Sequence, residues 1–268
     1  MPPLVRASLG VHGLAAGVAL ALPEQAPWAL AGVALNHAAL TAAGLWPRSR
    51  LLGPNITHLG DASAGRGEVA LTLDDGPDAE VTPRVLDLLD RHAWRATFFC
   101  IAERARAQPA LLREIVARGH SVQNHSAVHR HNFSLLGPRG FAAELTRAQD
   151  VLTDLSGQRP TCFRAPAGLR NPFLDPVLHR LGLHLVSWTR RGFDTRERDA
   201  GRVLARLTRG LAGGDILLLH DGHAARSAQG EPVVLAVLPR LIERCRDAGL
   251  HGVTLAEALP ARVAARAA

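Results

Sequence analysis

Beyond residue 69, short apolar runs alternate with segments whose apolar residues recur at helical spacing. In TPRVLDLLDRH, Thr82 and Pro83 stand where a helix begins, and apolar residues follow at 85, 88 and 89. This alternation predicts a parallel sheet with helices packed outside it. The predicted strands are 69–73, 96–101, 120–123, 161–164, 183–188, 214–219 and 251–254. The predicted helices are 82–91, 103–118, 138–156, 174–181, 200–211, 233–248 and 255–266.

The N-terminal part has a different pattern, with apolar segments at 9–22 and 28–46 on either side of PEQAP. The second segment begins and ends with tryptophan, as membrane-crossing segments often do, and as a helix it would be about 27 Å long. This pattern predicts a membrane hairpin. Two alternatives stay open: a signal peptide, and two alanine-rich helices packed on a soluble domain. Asn36 and His37 favour the latter, because polar side chains are costly in lipid.

Arginines flank the predicted hairpin at positions 6, 48 and 50. Positively charged flanks favour the cytoplasmic side of a membrane, and after two crossings the rest of the chain would lie on that same side. The division predicted for the chain is an apolar helical, membrane segment at 1–50, a Gly- and Ser-rich linker at 51–68 and the main α/β domain at 69–268.

The composition excludes some classes of function. The 268 residues carry a formal charge of +7, but all 31 basic residues are arginines spread along the chain. Tyrosine is absent and no basic groove with interleaved aromatics is present, so nucleic acid is not expected as a partner. Cys100, Cys162 and Cys245 form no CxxC pair and are odd in number, which argues against a disulfide framework and mildly favours a reducing compartment.

Ionisable side chains follow five of the predicted strands. In a parallel sheet the carboxyl ends of the strands meet at one edge, where ligands bind, so these side chains are expected to lie near one another. The residues concerned are Asp74, Asp75, His125, His129, Arg164, Asp194 and His220.

His125 and His129 are four residues apart, a spacing that on one helical turn would point both imidazoles the same way. With one carboxylate they would form a two-His-one-carboxylate metal site that leaves positions open for water and substrate. The alternative is a solvated loop rich in histidine. His131 could compete as a ligand, but a spacing of two residues turns it off the shared face.

Asp74 and Asp75 end the first strand before Gly76 and Pro77 bend the chain. Neighbouring strand residues point to opposite sides, so one carboxylate can bind a metal while the other takes a proton from the attacking water. The alternative is a turn or helix-capping aspartate, which is common in such a sequence.

His220 follows the buried run DILLL, where a lone histidine is more often structural. On a rim shared with Asp194, which could fix its tautomer and raise its pKa, a general acid is favoured. Arg164 cannot act as a base, and we expect it to orient a carboxylate, with Asp74 as first choice. A surface ion pair is the alternative for Arg164.

With these residues assembled, the chain resembles the polysaccharide deacetylases of carbohydrate esterase family 4, which share the NodB-homology domain. The similarity covers residues 69–258 and rests on motifs that follow the family's order. The resemblance implies an irregular (β/α)7 barrel, here preceded by the N-terminal apolar helical hairpin. The motifs are LTLDDGP, HSAVH, FRAPAG, WTRRGFDT and ILLLH.

The resemblance implies roles for these residues. Asp75, His125 and His129 would hold one divalent metal, with zinc expected and cobalt, nickel or manganese as options. The remaining implied roles are those of Asp74 as general base held by Arg164, His220 as general acid poised by Asp194, Leu218 in an acetyl pocket, Trp188 in the substrate site, and Ala167, whose backbone N–H would stabilise the oxyanion.

The implied reaction is hydrolysis of an N-acetyl group from an amino sugar in a glycan or lipid-linked saccharide, a cleavage of a linear amide C–N bond. A deformylase or deacylase acting on another amide of a lipid-linked sugar would use the same residues. A catalytically inactive, membrane-tethered carbohydrate-binding protein is a further alternative.

The chain departs from the family around the substrate groove. Many members have an aromatic residue in place of Ala167, Trp in place of Thr195 and Asp in place of Arg191. Fewer aromatic platforms argue against a long polysaccharide, and Arg170, Arg190 and Arg191, predicted near the mouth, would suit an anionic group. We therefore expect an N-acetylated, lipid-linked or anionic amino sugar at a bacterial inner membrane, with no protein partner inferred. The arginine flanks favour the cytoplasmic side, whereas many family substrates favour the cell envelope.

Overall fold

The computed structural model describes residues 1–259, and its centre is a curled parallel sheet that forms a half-barrel. The order is β5-β4-β3-β2-β1-β7-β6, and β8 also pairs with β1. All named strand pairs are parallel, as the alternating pattern predicted. The strands are β1 (Glu68–Asp74), β2 (Ala96–Cys100), β3 (Ser121–Asn124), β4 (Cys162–Phe163), β5 (His184–Leu185), β6 (Arg190–Arg191), β7 (Ile216–His220) and β8 (His251–Gly252).

The seven predicted strands are confirmed, and the structure adds β6, whose two arginines give no apolar signal. The predicted helix 103–118 is wrong, because Pro109 lacks the N–H that a continuous helix needs and the chain breaks at Gln108. Of the predicted helix 255–266, residues 260–266 lie outside the described part. The domain's helices are α3 (Asp61–Gly65), α4 (Val81–Arg91), α5 (Ala102–Ala107), α6 (Pro109–Ala117), α7 (Pro138–Ser156), α8 (Leu174–Leu181), α9 (Ala200–Thr208), α10 (Val233–Asp247) and α11 (Leu255–Ala258).

The central strand β1 sorts its side chains to two faces. Leu71 and Leu73 are buried in the large core that the outer helices cover. Ala70 belongs to a separate apolar cluster, and the Thr72 hydroxyl donates to the carbonyl of Leu217. Since side chains in a strand alternate, Asp74 shares the face of Ala70 and Thr72. The register places Asp74 beside His220 of β7, so these two groups start as neighbours at the same sheet edge.

Two long helices precede the domain: α1 (Pro3–Ala21) and α2 (Ala26–Leu45). Both are long and apolar enough to cross a membrane, a test that a signal sequence or a core helix of a soluble protein also passes. Most of their residues are exposed, whereas the residues of a core helix are mostly buried. The polar residues Asn36 and His37 are paired within the hairpin: Asn36 donates to Ser8 Oγ at 2.8 Å, and the Nε2 atoms of His37 and His12 are 3.2 Å apart.

The chain after the hairpin runs against the domain. The carbonyl of Gly44 accepts from the N–H of Arg170, and the carbonyl of Pro47 accepts from Ser187 Oγ at 2.7 Å. Further on, Ile56 forms an isolated β-bridge with Val186. The end of α2 is thus joined to the loops that follow β4 and β5. The division at 1–50, 51–68 and 69–268 stays a prediction.

Candidate active site

The two adjacent aspartates are separated by a backbone reversal at the end of β1. Asp75 has a φ of 71°, in the left-handed region, so its side chain leaves the strand pattern that Asp74 completes. The bend also depends on Gly76, because a Cβ there would lie 2.1 Å from a carboxylate oxygen of the buried Asp221. Asp221 accepts from the Thr82 hydroxyl at 2.6 Å, and burial raises its pKa to about 7.

The predicted helical turn between His125 and His129 is wrong. The segment is a loop after β3 in which Ser126 and His129 have φ values of 69° and 51°. Side chains hold this loop: Asn124 Oδ1 accepts from the N–H of Ser126 at 2.8 Å, and Ser126 Oγ accepts from the N–H of His129 at 3.0 Å. The four-residue spacing therefore does bring both imidazoles together, but through a polar loop.

Both histidines point to one oxygen of Asp75. The Nε2 atoms of His125 and His129 each lie 3.3 Å from Asp75 Oδ1, and the three candidate ligand atoms lie within 4.8 Å of one another. Asp75 Oδ1 is buried and has no hydrogen-bond partner among residues 1–259. A buried carboxylate oxygen without a partner is costly, and a divalent cation held with two imidazoles would satisfy it. The donor set thus fits a metal ion.

The neighbouring charges and hydrogen bonds set the protonation of these groups. His125 Nδ1–H donates to the carbonyl of Arg164 at 2.8 Å, which leaves the Nε2 lone pair for a cation. Burial lowers the pKa of His125, but Asp74 and Asp75 outweigh it and the net pKa is raised. Burial and the neighbouring His125 lower the pKa of His129 to about 4. Burial raises the pKa of Asp75, but the neighbouring His125 and His223 bring it well below its usual range.

His223 and Arg104 are two residues at this site that sequence reasoning missed. His223 Nδ1–H donates to Asp75 Oδ2 at 3.2 Å, and Arg104 donates to His223 Nε2 at 2.6 Å and to the backbone carbonyl of Asp75 at 2.8 Å. Arg104 has only N–H donors, so it fixes the His223 tautomer that donates to Asp75. The signal in the sequence was HDGH, where His223 follows His220 at a spacing of three.

Asp74 is fixed by a buried ion pair. Arg164 Nη1 donates to Asp74 Oδ1 at 2.6 Å, and the guanidinium also donates to Thr72 Oγ1 and to the carbonyls of Val186 and Ser187. The other carboxylate oxygen, Asp74 Oδ2, lies 3.9 Å from His125 Nε2. One oxygen of Asp74 is thus tied to Arg164 while the other lies beside the metal ligands.

His220 and Asp194 form the second buried pair. His220 Nδ1–H donates to Asp194 Oδ1 at 2.9 Å, and the backbone N–H of His220 donates to Asp194 Oδ2 at 2.8 Å. Burial lowers the pKa of His220, but the charge and hydrogen bond of Asp194 outweigh it, so the net pKa is raised. The imidazole is therefore oriented, and its charged form is stabilised.

A cavity of about 200 Å³ joins these groups. Arg191 is part of its wall, and its guanidinium lies 5.2 Å from the ring centre of Trp188. Two arginines predicted near the mouth are elsewhere. Arg190 binds Asp215, and the buried Arg170 donates to the carbonyls of Ser49 and Gly53. Eight of the site residues predicted from the sequence line this cavity. They are Asp74, Asp75, His125, His129, Ala167, Trp188, Leu218 and His220.

Residues 61–186 match the family model for polysaccharide deacetylases. The peptidoglycan-N-acetylglucosamine deacetylase PgdA of Listeria monocytogenes is 31% identical over 189 residues, which are 70% of this chain but only 38% of that protein. The chain therefore spans well under half the length of this relative. A chitooligosaccharide deacetylase of Sinorhizobium fredii is 31% identical over 194 residues, covering 70% of this chain and 90% of the relative.

Solved structures are similar as well. A family 4 acetyl xylan esterase from Clostridium thermocellum, in complex with a cobalt ion, has a TM-score of 0.64 and is 29% identical, covering 71% of this chain and 89% of that one. The curled parallel sheet with outer helices agrees with the (β/α)7 fold that the sequence resemblance implied. On these matches and this fold, the chain belongs to the polysaccharide deacetylase family, carbohydrate esterase family 4.

Proposed function

We propose that this protein is a metal-dependent hydrolase that removes the N-acetyl group from an amino sugar. The observation that carries the proposal is the convergence of His125 and His129 on Asp75 Oδ1, with Asp74 and His220 lining the same cavity. Such a site contains the ligands, a carboxylate base and an imidazole acid that amide hydrolysis needs. The activities named for the two sequence relatives support the same reaction.

One oxygen and two imidazole nitrogens suit zinc, and also cobalt, nickel or manganese. The structure of the related acetyl xylan esterase contains a cobalt ion, which supports a metal at this site. When bound, such an ion polarises the amide carbonyl and makes the attacking water more acidic. Asp75, His125 and His129 would hold it, and Arg104 and His223 would keep the carboxylate of Asp75 in place.

Asp74 is the proposed general base. Its Oδ1 is occupied by Arg164, so its Oδ2, on the side of His125, accepts the proton of the attacking water. The hydrogen bond from Arg164 holds this carboxylate in one orientation. His220 is the proposed general acid: Asp194 holds its Nδ1–H, which leaves Nε2 to donate a proton to the departing amine. An amine is a poor leaving group without that proton, so loss of the acid should cost about 10²–10⁴ in rate.

The substrate groups follow from the cavity. Leu218 and Trp188 would provide apolar walls for an acetyl methyl. Ala167, whose φ is 55°, lines the same cavity, and its backbone N–H is the proposed donor to the carbonyl oxygen as negative charge develops there. Arg191 adds a cation at the wall. The cavity is small and carries one tryptophan, which supports a short saccharide over a long polysaccharide, and Arg191 favours an anionic one.

The hairpin supports attachment to a bacterial inner membrane. The first turns of α1 and the last turns of α2 lie at the domain end of the hairpin, where Arg6, Arg48 and Arg50 are found. This charge distribution supports a cytoplasmic domain. A reporter fused to the C-terminus tests the side: activity of a reporter that works only outside the cytoplasm would contradict it.

The function is tested by acetate release from N-acetylglucosamine oligomers and from a prenyl-diphosphate N-acetylglucosamine, with and without zinc. We expect zinc-dependent release that Asp74→Asn reduces by at least 10²-fold. Formyl-bearing versions of the same sugars test for a deformylase, and a preference for formyl over acetyl would replace the proposed reaction. Binding of sugar without hydrolysis, unchanged by Asp74→Asn, would identify a non-catalytic carbohydrate-binding protein.

A further inference from the structure

A second, larger cavity lies between the hairpin and the domain. Its volume is about 440 Å³, and its walls are mostly apolar. The hairpin side includes Leu9 and Leu40, and the domain side includes Leu135, Pro172 and Phe173. Leu135 is 80% exposed and Phe173 is 52% exposed, so the domain presents two large apolar side chains to the surroundings beside this cavity. Large exposed apolar groups that lie together mark a surface for an apolar partner.

The hairpin indicates that this partner is lipid. In α1 the residues that line the cavity run from Val5 to His12, a rise of about 10 Å. If the hairpin spans the bilayer, this first half of α1 lies within the membrane boundary, and Leu135 and Phe173, which line the same cavity, lie at the same level. Amphipathic surfaces insert to depths of about 5–10 Å. Hydrocarbon is then the medium that meets the open side of the cavity.

The same backbone segment forms part of both cavities. Gly168 lines the catalytic cavity, and Arg170, two residues later, lines the cavity beside the hairpin. The hairpin packs directly against this segment, which we call the partition between the cavities. The carbonyl of Gly44 accepts a hydrogen bond from the N–H of Arg170, and a Cβ at Gly168 would lie 2.6 Å from Pro47. Two residues of extended chain measure about 7 Å, so the two cavities lie on neighbouring parts of one loop.

Charge at the partition suits an anionic group. Arg48 follows Pro47, is exposed, and donates one hydrogen bond to the carbonyl of Thr189. No carboxylate among residues 1–259 lies within ion-pair distance of Arg48. Arg191 provides a second cation on the catalytic side. Guanidinium groups bind phosphate oxygens well, so Arg191 and the exposed Arg48 would suit a phosphate or diphosphate between sugar and lipid.

We propose that the cavity between the hairpin and the domain holds the hydrocarbon tail of a lipid-linked substrate whose sugar enters the catalytic cavity. The proposal rests on the proposed deacetylase function and adds a second binding site to it. The hairpin is then part of the substrate site as well as an anchor, and specificity for lipid-linked sugars comes from Leu40, Leu135 and Phe173.

Kinetics test the tail site in the full-length protein. Thr41 lines the cavity from an exposed position, so Thr41→Trp fills space without disturbing the core. We expect it to raise KM for prenyl-diphosphate N-acetylglucosamine at least tenfold while leaving kcat/KM for a soluble N-acetylglucosamine oligomer within twofold. Leu35→Trp is the matched control on an exposed position of α2 outside the cavity, and it should change neither value. Equal effects on both substrates, or no effect on the lipid-linked one, would overturn the proposal.

Photo-crosslinking tests the site without turnover. A prenyl-diphosphate N-acetylglucosamine with a diazirine on the prenyl chain should label residues 134–135 and 171–173, and Leu135→Ser with Phe173→Ser should reduce that labelling several-fold. A diazirine-bearing phosphatidylglycerol that labels these residues better than the prenyl probe would overturn the assignment to substrate. If neither sugar is hydrolysed, the proposed function fails, and labelling still decides the tail site.

Discussion

Arg164 Nη1 donates to Asp74 Oδ1 over 2.6 Å, and both side chains are buried. The guanidinium is held in turn by Thr72 and by the carbonyls of Val186 and Ser187. Thr72 and Asp74 belong to β1, Arg164 directly follows β4, and Val186 directly follows β5. The sheet itself therefore fixes the carboxylate of Asp74. The proposed base is thus positioned before any substrate binds.

Arg164→Ala should damage both stability and activity. It leaves the carboxylate of Asp74 buried without its partner, a change that costs about 3–5 kcal/mol of unfolding free energy in comparable buried pairs. Denaturant unfolding measures this loss. Arg164→Lys keeps a charge but not the set of hydrogen bonds, so it should fold better than Arg164→Ala and still lose kcat. Wild-type kcat in Arg164→Lys would contradict the positioning role.

His223→Ala should weaken metal binding. The imidazole holds Asp75 Oδ2, and removal of such a supporting group typically costs about 10–100-fold in metal affinity. Competition with a chelator of known affinity measures this. His131→Ala is the control, since His131 is an exposed histidine near the same loop and is not in the candidate ligand group. Equal zinc affinity in both variants would contradict the role of His223.

The pKa of His220 should set the pH above which activity is lost. Its pKa is raised because the charge of Asp194 outweighs the effect of burial, so the acid stays protonated to higher pH than a free histidine. Asp194→Asn removes that charge and lowers the pKa, so kcat should be lost at lower pH than in the wild type. A pH profile of kcat measures the shift, and an alkaline limb that does not move would contradict the pairing.

Zinc should stabilise the protein more at pH 8 than at pH 6. The pKa of His125 is raised above the value of about 6.5 expected in the unfolded chain. Stabilisation by the protonated form is therefore complete below that pH and is lost as pH rises through the raised pKa. Zinc needs the neutral imidazole, so its binding improves over the same range. The shift in Tm on adding zinc at the two pH values measures this, and a larger shift at pH 6 would contradict it.

Local patterns in the sequence predicted the sheet and the ion pairs well. The apolar run before Asp74 and the run before His220 are both buried strands, and parallel strands bring their carboxyl ends to one edge. The pairing of Arg164 with Asp74 and of Asp194 with His220 follows from that edge and from charge.

Tertiary contacts decided what the sequence could not predict. The loop from His125 to His129 depends on Asn124 and Ser126, whose side chains replace the hydrogen bonds of the expected helical turn. Arg170 was expected near the mouth, but the carbonyls of Ser49 and Gly53 hold it on the hairpin side. Contacts with a distant segment leave no periodic pattern.

The metal content of the full-length protein tests the account most directly. After equilibration with zinc and removal of free ions, elemental analysis should find about one zinc per wild-type chain and per His131→Ala chain. His129→Ala, whose side chain is partly exposed and whose Tm without metal shows whether it folds, should retain far less. A folded wild-type protein without a stoichiometric divalent ion, or full retention by His129→Ala, would contradict a site built from Asp75, His125 and His129.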